Sequence, residues 1–447
     1  MSTALALIPD AAPAPLPVAP DPTPAARVAA AMRGFAAEIG ALSAFRMESC
    51  IHCGICAESC HYYIATEDPR YTPIWKIEPF KQAYKRESSS FAPVMRALGL
   101  KRAVTATQLQ EWQHLLFDSC NLCGRCSLIC PMGIDIASLI EQARHAMFDA
   151  GLAPSELYEK AAHQARTGQP ESSSEPYRDQ LLAIGRKFGV AIPLDVAKVD
   201  VMLCVARTDI ERYPAAVAAL ARVMGHLGVS CTFRSDALVA ENYGYLAGGK
   251  DLQRQISRRL IDEAIACGAG TLLVPECGHA YSALRWEAAD LYGKPLPFVV
   301  RHVTEYLADA LRGGTLHLRN AGEETGSVTF HDPCELVRKG GVRSAPRAIL
   351  KALGVTMNEL LNHGDFAFCC GGGGGVIDMP RAAPLRYRAM EIKLREIDDT
   401  GARTLLTSCS DCRRTFDDAR VHFDWDKSPG SLLELVAANL VTVAARP

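Results

Sequence analysis

Two runs of four cysteines at the same spacing constrain this 447-residue chain more than any other feature. The first reads Cys50-Ile-His-Cys53-Gly-Ile-Cys56-Ala-Glu-Ser-Cys60. The second reads Cys120-Asn-Leu-Cys123-Gly-Arg-Cys126-Ser-Leu-Ile-Cys130, so both are C-x2-C-x2-C-x3-C. A third group lies far downstream: Cys334 in His-Asp-Pro-Cys, the adjacent pair Cys369 and Cys370, and Cys409 with Cys412. The adjacent pair runs straight into Gly371–Gly375. Neighbouring cysteines rarely bond to each other, because a dipeptide cannot reach disulfide geometry. They can aim two thiolates at one iron–sulfur site. Glycines reach φ > 0 freely, which lets the backbone approach such a site and turn N–H groups toward its sulfurs.

Of seventeen cysteines, eight stand in the twin runs and five in the downstream group, leaving Cys204, Cys231, Cys267 and Cys277. Clustered spacing in a long chain indicates metal ligation in a reducing, cytoplasmic compartment, not a secreted disulfide framework. The 49% hydrophobic and 22% charged composition is that of a globular protein. A formal charge of −2 gives no reason to expect a nucleic-acid partner or an anionic membrane. Residues 1–30 are rich in Ala and Pro, lack the basic start of a signal peptide, and read as a disordered tail. No run of about 18 apolar residues marks a membrane span.

The x2-x2-x3 rhythm wraps one face of a cubane, as in the bacterial ferredoxin signature, where the last cysteine of each run serves the other cluster. The implied sets are Cys50, Cys53, Cys56 with Cys130, and Cys120, Cys123, Cys126 with Cys60. Zinc is the alternative for eight thiolates, but it does not need this rhythm. His61 stands where the motif usually carries proline, a position that shapes the turn without ligating. Leu109, Trp112, Leu115 and Leu116 repeat at helical spacing between the runs, so residues 31–150 are expected to form a helical two-cluster ferredoxin domain. Trp75 to Arg86, with Lys76, Lys81 and Lys85, reads as a solvated helix face in preference to a docking patch.

A helical linker is expected over 151–198. Beyond it, short β-type runs at 199–205, 229–233, 271–274, 327–330 and 404–406 alternate with helical stretches, the pattern of βαβ units. The pattern occurs twice. Val201-Met-Leu-Cys204 corresponds to Val328-Thr-Phe-His331, Asn242-Tyr243-Gly244 to Cys369-Cys370-Gly371, and Thr271…Cys277 to Thr404…Cys409, at offsets of 127 to 133 residues. Residues 199–320 are thus a degenerate copy without the paired cysteines, and 321–447 an intact one. The expected fold class is α + α/β.

Two ferredoxin runs followed by Cys…Cys-Cys-Gly…Cys-x-x-Cys resemble the iron–sulfur proteins related to heterodisulfide reductase, which carry the cysteine-rich CCG domain. The likeness extends from Cys50 onward. It is strongest to the fused ferredoxin–CCG branch, which includes subunits of membrane heterodisulfide reductases, of sulfite-reduction complexes and of glycolate oxidase. The resemblance implies a noncubane 4Fe–4S centre at Cys334, Cys369, Cys370, Cys409 and Cys412, with Gly371, Gly372 and Gly373 around it, beside two cubane 4Fe–4S clusters. One such centre is expected, since the first copy lacks its cysteines.

An accessible iron suits stepwise disulfide cleavage. His279, or Glu276, is the candidate proton donor to the leaving thiolate; a helix-start histidine beside a structural Cys277 is an equal reading. His331 and Asp332 are expected to organise the Cys334 turn, and Cys204, Cys231 and Cys267 to be buried apolar residues. Two functions fit: a disulfide or heterodisulfide reductase-like oxidoreductase, or an electron-transfer subunit of a flavin dehydrogenase complex feeding a quinone. No GxGxxG opens a βαβ unit, so flavin chemistry falls to a partner. Partners implied are a flavoprotein, a quinone-linked membrane subunit at the inner face, or a disulfide or thiol carrier protein.

Overall fold

A computed structural model describes residues 23–88, 94, 98, 104–236 and 239–441. The expected tail falls mostly outside these, but its last part is helical. Thr23 caps the helix Pro24–Glu38 by accepting from the Ala26 N–H, and Pro24 occupies a first-turn position whose N–H has no helical partner. This helix buries Ala31 and Phe35 and packs along the helix Ile136–Asp149.

The first part of the chain is helical, as its periodicity predicts. Thr105 and Gln108 form a capping box at the start of Ala106–Gln113. That helix passes into a π-helical turn, His114–Asp118, which delivers the chain to Cys120. Leu109, Trp112, Leu115 and Leu116 are buried. Phe35 stands at the centre of this core, 5.8 Å from the Phe80 ring and 5.9 Å from the Trp112 ring. The Trp75–Arg86 stretch departs from the solvated face expected of it. Lys76 and Lys81 are buried, because both ammonium groups turn inward toward the cysteine loops.

Helices Ser155–Thr167 and Tyr177–Phe188 lie in the expected linker, each ended by a left-handed glycine, Gly168 and Gly189. Two small parallel sheets follow. Strands β1 (Val201–Leu203), β2 (Cys231–Phe233), β3 (Thr271–Val274) and β4 (Val299–His302) stand in the order β2-β1-β3-β4. Strands β5 (Val328–His331), β6 (Thr404–Thr407) and β7 (Pro429–Ser431) stand in the order β5-β6-β7, and Met357 bridges to Val328 where the first sheet has β2. The same order in both sheets matches the duplication legible in the sequence. Strands β4 and β7 are not singled out by the sequence: both are short, β4 follows Pro295 and Pro297, and β7 itself begins with Pro429.

A single apolar cluster joins the sheets: Val201, Leu203 and Phe233 from the first, Val328, Phe330 and Leu406 from the second, with Leu220 and Leu433 from flanking helices. Among the described residues no single helix is long and apolar enough to cross a membrane. The helical part is bound to the sheets through Arg144, which has no exposed surface. Its guanidinium donates to the carbonyls of Leu116 (2.9 Å), Cys120 (2.8 Å), Leu246 (3.3 Å) and Gly374 (2.9 Å), which lie in three stretches far apart in sequence. Arg144→Met leaves buried carbonyls without donors, so chemical denaturation should show a loss of about 3 kcal/mol or more.

Candidate metal centres

The two ferredoxin-type loops follow the same backbone path. His52 (φ 54°) and Leu122 (φ 53°) are both left-handed, as are Gly54 (φ 81°) and Gly124 (φ 73°). A non-glycine residue held there costs about 1 kcal/mol or more, so its recurrence at matching positions marks a shape that serves the thiols. One cavity is lined by Cys50, Cys53, Cys56 and Cys130 and another by Cys60, Cys120, Cys123 and Cys126, with about 450 and 460 Å³ of empty volume. These are the two sets implied by the motif. All seventeen cysteines are free thiols. Four thiols around each of two cavities, on loops bent to face them, fit cube-shaped clusters.

The cavities differ in setting. The first is peripheral: Cys53 is exposed, and Ile51 and Met132 stand in solvent beside it. The second is internal. The Lys76 ammonium lies 3.6 Å from the Cys60 sulfur and also donates to the Ser119 carbonyl. Arg338 donates to the Cys123 carbonyl at 2.7 Å, and Arg125 to the Ser59 carbonyl at 3.0 Å. Cations this close offset the negative charge of a thiolate-held cluster.

His61 is buried, and its departure from proline has a purpose. Its Nε2 lies 2.7 Å from the Asn121 Oδ1, so His61 donates and leaves the Asn121 amide to donate onward. Asn121 Nδ2 donates to the carbonyls of Gly371 (2.8 Å) and Gly373 (3.0 Å). Burial brings the His61 pKa down to about 4, so the ring is neutral at physiological pH.

The glycine loop is thereby seated on the Cys120–Asn121 backbone. A Cβ at Gly374 (φ 62°) would lie 2.9 Å from the Asn121 carbonyl carbon, and one at Gly375 (φ 82°) 2.8 Å from a Leu157 methyl. Beneath the loop, a cavity is lined by Cys334, Cys369, Cys370, Cys409 and Cys412. Cys334 and Cys369 sulfurs are 3.8 Å apart. Hydrogen bonds from the Cys369 and Cys412 thiols lower the Cys370 pKa and favour its thiolate. Five thiols converging here fit one further iron–sulfur group. Gly372 and Gly373 line the cavity. Gly371 does not, contrary to expectation: a Cβ on it would meet the Met390 side chain at 2.6 Å, so its role is packing.

The expected proton donors separate. His279 lines the cavity, with Nδ1 3.6 Å from an Asp411 carboxylate oxygen and 3.5 Å from the Cys277 sulfur, while its buried Nε2 has no partner. Burial disfavours its imidazolium, but the hydrogen bond and charge of Asp411 outweigh this and hold its pKa above the usual value. Glu276 is not at the cavity. Its side chain extends toward β7, where it accepts from Ser431 Oγ at 2.7 Å, since successive side chains of an extended segment point to opposite sides. Glu241, which sequence reasoning missed, takes that place: it lines the cavity, one carboxylate oxygen has no partner, and burial with the Asp411 charge brings its pKa up to about 7. Asp332 is fully buried and receives both Arg347 Nη groups (2.9 and 2.8 Å) and the Gly364 N–H, which anchors the Cys334 turn. His331 is also fully buried, with a ring nitrogen within 4.8 Å of the Cys370 and Cys412 sulfurs.

Family comparisons agree with this geometry. Residues 46–134 match a 4Fe–4S dicluster domain, and residues 328–417 match a cysteine-rich domain. The chain carries both domains, in that order. A component of the dihydromethanophenazine:CoB–CoM heterodisulfide reductase of Methanosarcina barkeri is 28% identical over 90% of this chain and 95% of its own length. An Hdr-like menaquinol oxidoreductase iron–sulfur subunit of Archaeoglobus profundus is 24% identical over 89% of this chain and 80% of its own. The EtfAB:quinone oxidoreductase of Syntrophomonas wolfei is 26% identical over 80% of this chain and 52% of its own. The chain is an iron–sulfur electron-transfer subunit related to these proteins.

His61→Pro restores the usual motif residue at a helix start that accepts it and removes only the donor to Asn121. Iron held by the dicluster domain should be unchanged, whereas hydrogen exchange across residues 369–376 should quicken by about fivefold or more.

Proposed function

We propose that this chain moves electrons through two cubane 4Fe–4S clusters to one noncubane 4Fe–4S centre, where a disulfide is reductively cleaved. The carrying observation is that Cys369 lines the inner dicluster-domain cavity and the cysteine–glycine cavity alike. One thiol-bearing wall between two redox groups makes the crossing short. The outer set would be Cys50, Cys53, Cys56 and Cys130, the inner set Cys60, Cys120, Cys123 and Cys126, and the terminal set Cys334, Cys369, Cys370, Cys409 and Cys412.

The bound clusters supply single electrons and a sulfur-reactive terminus. The remaining work belongs to side chains. Cleavage of R–S–S–R consumes two electrons and two protons and yields two thiols. His279, held by Asp411 with Nε2 unpartnered, delivers the first proton to a leaving thiolate, and solvent the second. Asn121 and Arg144 keep the glycine loop fixed on the inner loop while charge passes. The heterodisulfide reductase relatives support this reading.

A second reading is a relay in which the terminus passes electrons between a flavoprotein and a quinone-linked partner at the inner face of the membrane. It is favoured by the relatives whose names specify menaquinol or quinone oxidoreduction.

Anaerobically purified protein should hold about twelve irons per chain, and Cys370→Ala about eight. Eight irons in the unsubstituted protein would remove the terminal centre. A paramagnetic signal that changes on adding a thiol is expected of direct sulfur chemistry. Its absence, with a flavoprotein co-purifying, would establish the relay instead.

A further inference from the structure

The walls of the cysteine–glycine cavity carry a definite charge. Their ionisable residues other than cysteine and tyrosine are Glu241, His279, Glu335, Asp378 and Asp411, with no lysine or arginine among the lining residues. Lysines and arginines stand behind this lining, not on it, and three of them pair with its acids. Lys339 pairs with Glu335 at 3.0 Å and also donates to the Tyr245 hydroxyl. Lys160 and Arg414 pair with Asp378 at 3.0 and 3.1 Å, and Tyr243 donates to the same carboxylate. Arg207 pairs with Glu211 at 2.6 Å and presents only its backbone N–H to Glu241. Two buried polar atoms of the wall have no partner, Glu241 Oε2 and His279 Nε2. Glu241 is 3% exposed, and its free oxygen is an acceptor waiting for a donor.

Resting on the disulfide-cleaving reading above, we propose that the substrate is an uncharged or cationic disulfide, one bearing ammonium, hydroxyl or amide donors next to its S–S bond. An anionic disulfide would bring carboxylate or sulfonate groups against a lining of carboxylates and a thiolate-rich centre, with no lysine or arginine on the cavity surface. Such like-charge contact is how a site rejects a partner. A donor group, by contrast, satisfies Glu241 Oε2 as it enters, which leaving it empty does not.

Three small disulfides of similar length test this: cystamine (cationic), 2-hydroxyethyl disulfide (neutral) and 3,3′-dithiodipropionate (anionic). Binding to the oxidised, iron-replete protein is measured by anaerobic calorimetric titration, which needs no turnover. Cystamine should bind at least about tenfold more tightly than dithiodipropionate, with the neutral compound between them. Glu241→Gln should narrow that ratio while iron content stays unchanged. Asp378→Asn, which removes the carboxylate paired with Arg414 and leaves Lys160 on Glu171 alone, should shift preference toward dithiodipropionate. Equal or tighter binding of dithiodipropionate to the unsubstituted protein overturns the proposal and leaves the disulfide reading standing. A ratio unmoved by both substitutions overturns it as well. If none of the three binds to protein holding its full iron, the disulfide reading falls with it and the relay remains.

Discussion

The structure depends on one backbone contact, the seating of Gly373–Gly375 on the Cys120–Asn121 segment. Electron transfer requires the redox groups of two separately folded parts to lie within a few side chains of each other. No pair of ordinary side-chain-bearing loops approaches this closely. Gly374 meets the Asn121 carbonyl carbon at the distance where a Cβ would collide, and Asn121 closes the contact with two hydrogen bonds to glycine carbonyls. Arg144 then ties carbonyls of both loops to the helical core. Gly373 and Gly374 therefore serve the junction as much as the cavity beneath them.

Charge follows the same division. Beside the inner dicluster cavity and the junction stand the cations Lys76, Arg144 and Arg338, which donate to carbonyls and, from Lys76, to a cysteine sulfur. The cysteine–glycine cavity faces the opposite way, toward the degenerate repeat, and is walled by acids. One side suits holding negative clusters in a low-dielectric interior. The other, with a histidine and an orphaned carboxylate oxygen, suits receiving protons and hydrogen-bond donors. The part of the chain that carries the first sheet supplies Glu241, Tyr243 and His279 to this cavity.

Much of the site was legible in the residues. The cysteine spacing assigned eight thiols to two sets, and both sets surround cavities as the spacing requires. Short apolar runs recur at offsets of 127 to 133 residues, and the strands they form stand in the same order in both sheets. The failures have a common cause. Lys76 and Lys81 looked solvated because a lysine on a helix usually is, yet each meets a partner in a loop distant in sequence. Glu276 was a candidate because it adjoins Cys277, although an extended chain turns neighbours to opposite sides, and Glu241 was not singled out at all.

What the sequence determined by itself is the chemistry of short range: thiols at cubane spacing, glycines that free the backbone, and strand and helix periods that form βαβ units. Those follow from local geometry, which adjacent residues set. The tertiary structure alone decided how the pieces meet: that Cys369 stands between two cavities, that His61 acts through Asn121, and that the degenerate repeat walls the site with acids. These depend on contacts across up to roughly 250 positions of chain, as between Asn121 and Gly371. Such contacts arise only when separate cores pack, and no local pattern of residues encodes them.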